Sequence, residues 1–373
     1  MPAEATIRDA AEEDNAGLVE LARACPMEGE IALRVDRSPD FFALDRLAGE
    51  PWRVGVARDG RGEVVGSIAV ALRRAHVHGR PRQIAYIGDL KVHPGHRGPR
   101  LAAADRLIQF ARETARGLGG DDMPLLFTIL AGNRPIENRI PGVRGLPVFS
   151  RFATLRVVSL PLIWGPRPPR PDLDLVPARR EDLGEMVALW RRLTPALQFA
   201  EAWDEDSLER WIEQAPGLDL ASYRLARRRG DGRIEGFLGL WDQRCFKQLR
   251  VVGYSRRLAF LRRAFNTVAR TAGAAPLPAA GGELGGVTAI HVCAPLEDPA
   301  VLRRLLLGAV AELRGGDLSL LHFGCDERDP RASALRGLLA PSTRVHAYVT
   351  TPGGTYTGPA LDDRPLHHEI ALV

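Results

Sequence analysis

Between Val92 and Ala103 the chain reads Val-His-Pro-Gly-His-Arg-Gly-Pro-Arg-Leu-Ala-Ala. An apolar, partly β-branched run at 85–92 suits a buried strand. Two prolines and two glycines at 93–99 then turn the chain. From 101 onward, Leu107, Ile108, Ala111, Ala115 and Leu118 recur at helical spacing, and Gly117, Gly119 and Gly120 mark the end. A helix start has backbone N–H groups without internal partners and carries partial positive charge, so a strand–turn–helix junction favours anions. Arg97 and Arg100 add full charges, while Gly98 and Ala102 allow close approach to the backbone. The chemistry expected of this turn is grip on a pyrophosphate.

The flanking pattern supplies the scaffold. A strand at 6–8, a helical run after Asp14, a second helix at 39–48, strands at 52–57 and 64–72 around a turn at 58–62, the strand at 83–92, the helix and a strand at 125–130 follow in order. The loop resembles the acetyl-coenzyme A loop of the GNAT N-acetyltransferase superfamily, Val-x-Pro-x-x-Arg-Gly-x-Gly-x-Gly/Ala. Arg97, Gly98 and Ala102 match it, and Arg100 replaces the middle glycine. The element order is similar to that superfamily across residues 5–162.

Residues 163–174 are a proline-rich, semi-rigid linker. Beyond them Leu175-Val-Pro-Ala178-x-x-Glu181-Asp182 repeats Ile7-Arg8-Asp9-Ala10-x-x-Glu13-Asp14. Further on, Leu225-Ala-Arg and Ile234-Glu-Gly236 echo Val56-Ala-Arg and Val64-Val-Gly66 at the same offset of roughly 170 residues. The expected fold is therefore α/β (α+β): two tandem GNAT folds, each a mixed, mainly antiparallel sheet flanked by helices. The N-terminal domain is 1–162, and a degenerate C-terminal copy spans 175–373, with an inserted segment at about 243–286. Glu297 and Asp298 stand where the first copy has Arg97 and Gly98, and carboxylates would repel a pyrophosphate. In the insert, 254–270 is a basic amphipathic pattern read as a helix packing across the domains. Strands at 318–323, 344–350 and 368–372 are expected to complete the second sheet.

The resemblance implies an N-acetyltransferase with acetyl-CoA as co-substrate. Its backbone contacts would come from Leu90, Lys91 and Val92, and its phosphate contacts from Arg97, Gly98, Pro99, Arg100, Leu101, Ala102 and Ala103. Asn133 opens the helix that often completes the cofactor site. An amine must be neutral to attack a thioester, so a base is sought. Asp89 is the nearest carboxylate, although strand alternation could turn it into a structural hydrogen bond. Glu28 and Glu30, in the loop beside the acceptor side, are second candidates. Phe149 falls where the family's proton-donating tyrosine would stand, leaving water, Tyr86 or the second domain as proton source. His93 and His96 read as loop residues beside the phosphates.

Composition narrows the rest. The 373 residues suffice for two cores. The net charge of +5 is almost all arginine: of the 51 lysines and arginines only Lys91 and Lys247 are lysines. That bias speaks against a nucleic-acid footprint. Four scattered cysteines show no metal spacing, so no metal and a reduced, cytoplasmic setting are expected. No window reaches the ~18 apolar residues of a membrane span. The expected partners are a small-molecule primary amine and a second copy in a homodimer. The rival readings are a non-catalytic acyl-CoA-binding scaffold, or an acyltransferase using another acyl chain or a peptide or aminoacyl acceptor.

Overall fold

The computed structural model describes residues 5–29, 31–97, 102–137, 149–163, 166–338, 340–354, 356 and 360–373. The first half runs β1 (Thr6–Asp9), α1 (Asn15–Ala24), β2 (Ile31–Asp36), α2 (Ala43–Ala48), β3 (Trp52–Arg58), β4 (Val64–Val77), β5 (Arg80–Val92), α3 (Ala102–Gly119), β6 (Leu125–Leu130), α4 (Arg134–Glu137) and β7 (Ser150–Pro161). The second half repeats much of this: β8 (Leu173–Pro177), α5 (Leu183–Leu193), α6 (Glu205–Gln214), β9 (Tyr223–Arg228) and β10 (Ile234–Trp241). It continues through β11 (Gln248–Tyr254), α7 (Arg256–Thr271), β12 (Gly286–Cys293), α8 (Pro299–Leu313), β13 (Leu320–Asp326) and β14 (Ser342–Thr350).

Twelve strands form one sheet in the order β1-β3-β4-β5-β6-β14-β7-β13-β12-β10-β9-β8. The two halves exchange strands at its centre. β14, late in the chain, pairs with both β6 and β7, and β7 in turn pairs with β13. Every pairing in this sheet is antiparallel except β5–β6 and β12–β13, which occupy corresponding places in the two halves. The pattern of burial follows: α3 sets Leu107, Ala111 and Ala115 on one face of β4 and β5, and α8 sets Val301, Leu302 and Leu305 on the second half.

The repeat read from the sequence reappears as matching geometry. Asp14 accepts from the backbone N–H of Ala11 and pairs with Arg58 on β3; Asp182 accepts from Arg179 N–H and pairs with Arg227 on β9. Each carboxylate thus ties a chain start to the second strand of its own copy. The fifth strand of each half also carries a left-handed residue, Asp89 (φ 51) in β5 and His291 (φ 46) in β12. Aspartate and histidine are among the few non-glycine types that enter this region readily. In both strands the register slips at that point, between Ser67 and Ala69 on β4 and between Phe237 and Gly239 on β10. These are β-bulges, which bend a strand and end its regular pairing.

Two expectations are corrected. Residues 368–372 form no strand; Ile370–Leu372 is a single 3₁₀ turn. β14 already has a neighbour on both sides, so no sheet edge remains there for another strand. The helix α7 does not knit the halves together either: of its residues only Ala269 is buried, and Phe260 is 72% exposed. That link is made by β11, which pairs with β2 of the first half in a separate two-stranded sheet. Neither strand is long or regular enough to announce its partner from sequence. No helix among the described residues is long and apolar enough to cross a membrane.

Candidate acyl-coenzyme A site

The site begins where β5 and β6 part. Their parallel pairing runs only through Ala85, Tyr86 and Ile87 against Leu125, Leu126 and Phe127. Both strands continue, β5 through Gly88–Val92 and β6 through Thr128–Leu130, so two strand edges face each other across a wedge. At its apex the Tyr86 hydroxyl and Thr128 Oγ1 are 3.1 Å apart, and burial pushes the phenol up to about 12. The bulge at Asp89 sits just inside the wedge, with the Ser67 hydroxyl donating to the Asp89 carbonyl at 2.8 Å. An extended arm carrying amide groups fits such edges in the manner of an added strand.

At the open end of β5 the turn of 93–97 begins. His93 Nδ1 accepts from Gly95 N–H at 3.2 Å, and Arg97 Nε donates to the Val92 carbonyl at 2.8 Å. His96 Nε2 lies 3.7 Å from Asp59. α3 starts at Ala102. Gly98, Pro99, Arg100 and Leu101 lie outside the described residues, as does Glu30, and of Ala102 only the backbone is described. Leu90, Lys91 and Val92 end β5, Arg97 bonds back to Val92, and Ala103 lies in the first turn of α3. Asn133 is exposed at the start of α4, just past the end of β6. Glu28 is exposed in the loop before β2.

Asp89 does not face the wedge as a lone carboxylate. One oxygen pairs with Arg37 and the other with Lys91, while Arg37 also reaches Asp45 on α2 at 3.2 Å. Burial opposes charge on Asp89, but the charges of Arg37 and Lys91 outweigh it and hold the carboxyl well below the usual range. In Asp45 burial wins instead and its pKa rises. Lys247, from the second half, completes the group. It is 9% exposed, and its Nζ donates to the main-chain oxygens of Ala371 (3.0 Å) and Val373 (2.6 Å). Burial, reinforced by Arg37, pushes its ammonium down to about 7. The charges of Arg37, Asp89 and Lys91 thus act on Lys247 from across the seam between the halves. Sequence reading passed over Lys247 and Arg37; the scarcity of lysine was the one available signal for the former.

The corresponding wedge of the second half is filled. β12 and β13 pair only through Gly286, Val287 and Thr288. Residues 366–370 then enter: Leu366 N–H donates to Asp326, Glu369 accepts from His291 N–H at 2.9 Å, and Ile370 covers Gly324. What remains is a cavity of about 20 Å³, room for about one water. At the start of α8, Asp298 caps Ala300 N–H at 3.1 Å and pairs with Arg170, so the anion-binding end is already occupied by a carboxylate.

No family model matches the sequence, and no curated protein matches it. Solved structures do resemble the fold. Saccharomyces cerevisiae N-myristoyltransferase with bound myristoyl-CoA superimposes with a TM-score of 0.63 at 13% identity, over 94% of this chain and 83% of that one. A tandem GNAT protein from the clavulanic acid biosynthesis pathway gives 0.58 at 15% identity, over 96% and 100%. A GCN5-related N-acetyltransferase from Anabaena variabilis gives 0.52 at 12% identity, over 94% and 73%. The class that fold and wedge define is the GNAT fold. More particularly, the chain is a tandem GNAT fold with strands exchanged between its copies.

Proposed function

We propose that the protein is an acyl-coenzyme A-dependent N-acyltransferase whose donor lies in the β5–β6 wedge and whose acceptor amine enters from the side of Lys247. The observation that carries this reading is the asymmetry of the two wedges. One ends at a basic turn and a helix start, and the other is plugged and capped by carboxylates. Acetyl-CoA is the working donor and a small primary amine the working acceptor. The fold likeness to a myristoyltransferase favours testing longer acyl chains beside acetyl.

In this reading Leu90–Val92 supply main-chain groups for the pantetheine arm, and an N–H beyond the bulge polarises the thioester carbonyl. Arg97 and the first turn of α3, including Ala103, hold the diphosphate. Amine nitrogen attacks the carbonyl carbon, the carbon–sulfur bond breaks, and the amine proton passes to a base. We place that base at Lys247 rather than Asp89. A neutral lysine with both hydrogens given to the main-chain oxygens of Ala371 and Val373 keeps its lone pair free, whereas both oxygens of Asp89 are committed to cations. Asp89 then orients Lys91 and Arg37. Glu28 and Glu30 belong to the loop before β2 and are assigned the rim of the acceptor entrance. Asn133 is assigned to the cofactor side.

Titration calorimetry with acetyl-, octanoyl- and myristoyl-CoA tests the donor site, followed by thiol release over a panel of amines. Micromolar binding with turnover on at least one amine is expected. Absence of heat with every thioester would end the proposal, and binding without turnover on any amine would favour the scaffold. A second check uses Gly88, where an added Cβ would lie 3.0 Å from the Tyr86 ring at the wedge apex. Gly88→Val should raise the Kd for the productive thioester about tenfold, roughly 1.4 kcal/mol, with the circular dichroism spectrum unchanged.

A further inference from the structure

Beyond the wedge, a second group of polar side chains is buried in the seam between the halves. Glu201 lies beside the far end of β4, where Ala75 bridges to it, and His367 and Glu369 come from the segment that plugs the second wedge. One ligand-type atom from each of the three falls within 4.8 Å of the others. His367 Nδ1 is 3.6 Å from Glu201, and its Nε2 is 3.5 Å from Glu369. These separations are too long for hydrogen bonds. They set the two carboxylates at different nitrogens of one ring, and one ligand atom from each residue still falls within 4.8 Å of the others, so an ion drawing these donors in would take one imidazole nitrogen and both carboxylates.

The atoms are also left wanting a partner. Glu201 Oε2 and His367 Nδ1 are buried and make no hydrogen bond, and both glutamates are only 5% exposed. Each carboxylate is held by its other contacts: Arg73 Nη1 lies 2.8 Å from Glu201 Oε1, and His291 N–H binds Glu369. That is how outer partners orient ligands. Arg73 and the His367 imidazole face the two carboxylates, and a divalent cation would add the charge that keeps both of them ionised in this buried place. The cavity of about 20 Å³ lined by His367 and Glu369 leaves space for a water.

We propose that Glu201, His367 and Glu369 bind a divalent first-row transition ion of the Zn²⁺ type, with a water as fourth ligand. An imidazole among the donors favours such an ion over Mg²⁺ or Ca²⁺. The ion is structural: it joins the 199–202 segment beside β4 to residues 366–370 and keeps the second wedge closed. This proposal is independent of the donor and acceptor assigned above.

The test uses untagged full-length protein, stripped with a chelator, loaded with ZnCl₂ and gel-filtered before elemental analysis. About one Zn²⁺ per chain is expected, and after Co²⁺ loading the visible bands of a low-coordinate site. His367→Ala and Glu369→Gln should each retain less than about a tenth of the metal while binding acyl-coenzyme A as before. Wild-type protein that retains no Zn²⁺ and shows no Co²⁺ bands would overturn the proposal, leaving a shared proton between Glu369 and His367. So would equal retention by both variants.

Discussion

Lys247→Met should lower kcat/KM by about 10²–10⁴-fold while leaving the affinity for the acyl-coenzyme A nearly unchanged. In its neutral form the amine keeps a free lone pair, and it is already pushed down to about 7. The wild-type kcat/KM should therefore rise on its acid limb through about pH 7 as Lys247 loses its proton. That limb should vanish in the methionine variant. Lys247→Arg would not rescue, because a guanidinium stays charged at every relevant pH. A variant with the same pH profile as wild type would remove Lys247 from the chemistry. Stability offers a separate readout with a defined sign. The unfolded chain binds this proton up to about pH 10.4, whereas the folded one releases it near pH 7. Between those values the unfolded state holds more protons, so this group's contribution makes the protein more stable as pH rises through the window.

The second large effect concerns Arg37, which is 2% exposed and stands between Asp45 and Asp89. Arg37→Met should cost about 3–5 kcal/mol in urea unfolding, the usual consequence of leaving buried charge without its partner. Lys91 still serves Asp89, so Asp45 is the group left most exposed to the loss. Its pKa is raised by burial even with Arg37 present and rises further without it. A carboxyl raised above its unfolded value contributes stability at acid pH that is lost as pH increases through the folded value. The variant should thus be closer to wild type at pH 5 than at pH 8. Equal losses at both would mean that the guanidinium acts through packing, for instance on the Phe41 ring 4.2 Å below it, and not through charge.

Much of the first half could be read in advance because its signals are local. Apolar, partly β-branched runs placed β3, β4, β5 and β6, a 3.6-residue period placed α3, and turn residues separated them. The repeat was legible for the same reason, since Glu13-Asp14 and Glu181-Asp182 serve local turns that cap a helix start. What escaped was long-range. Nothing in residues 342–350 says that they insert between β6 and β7, because pairing partners are chosen by free edges and not by composition. The run at 368–372 is apolar enough for a strand, yet it enters a wedge where hydrogen bonds from His291 and to Asp326 fix it instead.

The site divides along the same line. That Leu90–Val92 end a strand and Arg97 the turn after it was visible because the two are contiguous. Asp89 was singled out, but Arg37, 52 residues earlier, and Lys247, in the other half, were invisible as its neighbours. Buried ionic groups are assembled by the fold, and their protonation depends on partners that sequence spacing does not bring together.

A crystal structure with a coenzyme A thioester tests the central claim most directly. The pantetheine arm is expected between Gly88–Val92 and Thr128–Leu130, the diphosphate against Arg97 and the start of α3, and the thioester facing Lys247. A thioester found between β12 and β13 with residues 366–370 displaced, or away from both wedges, would contradict it.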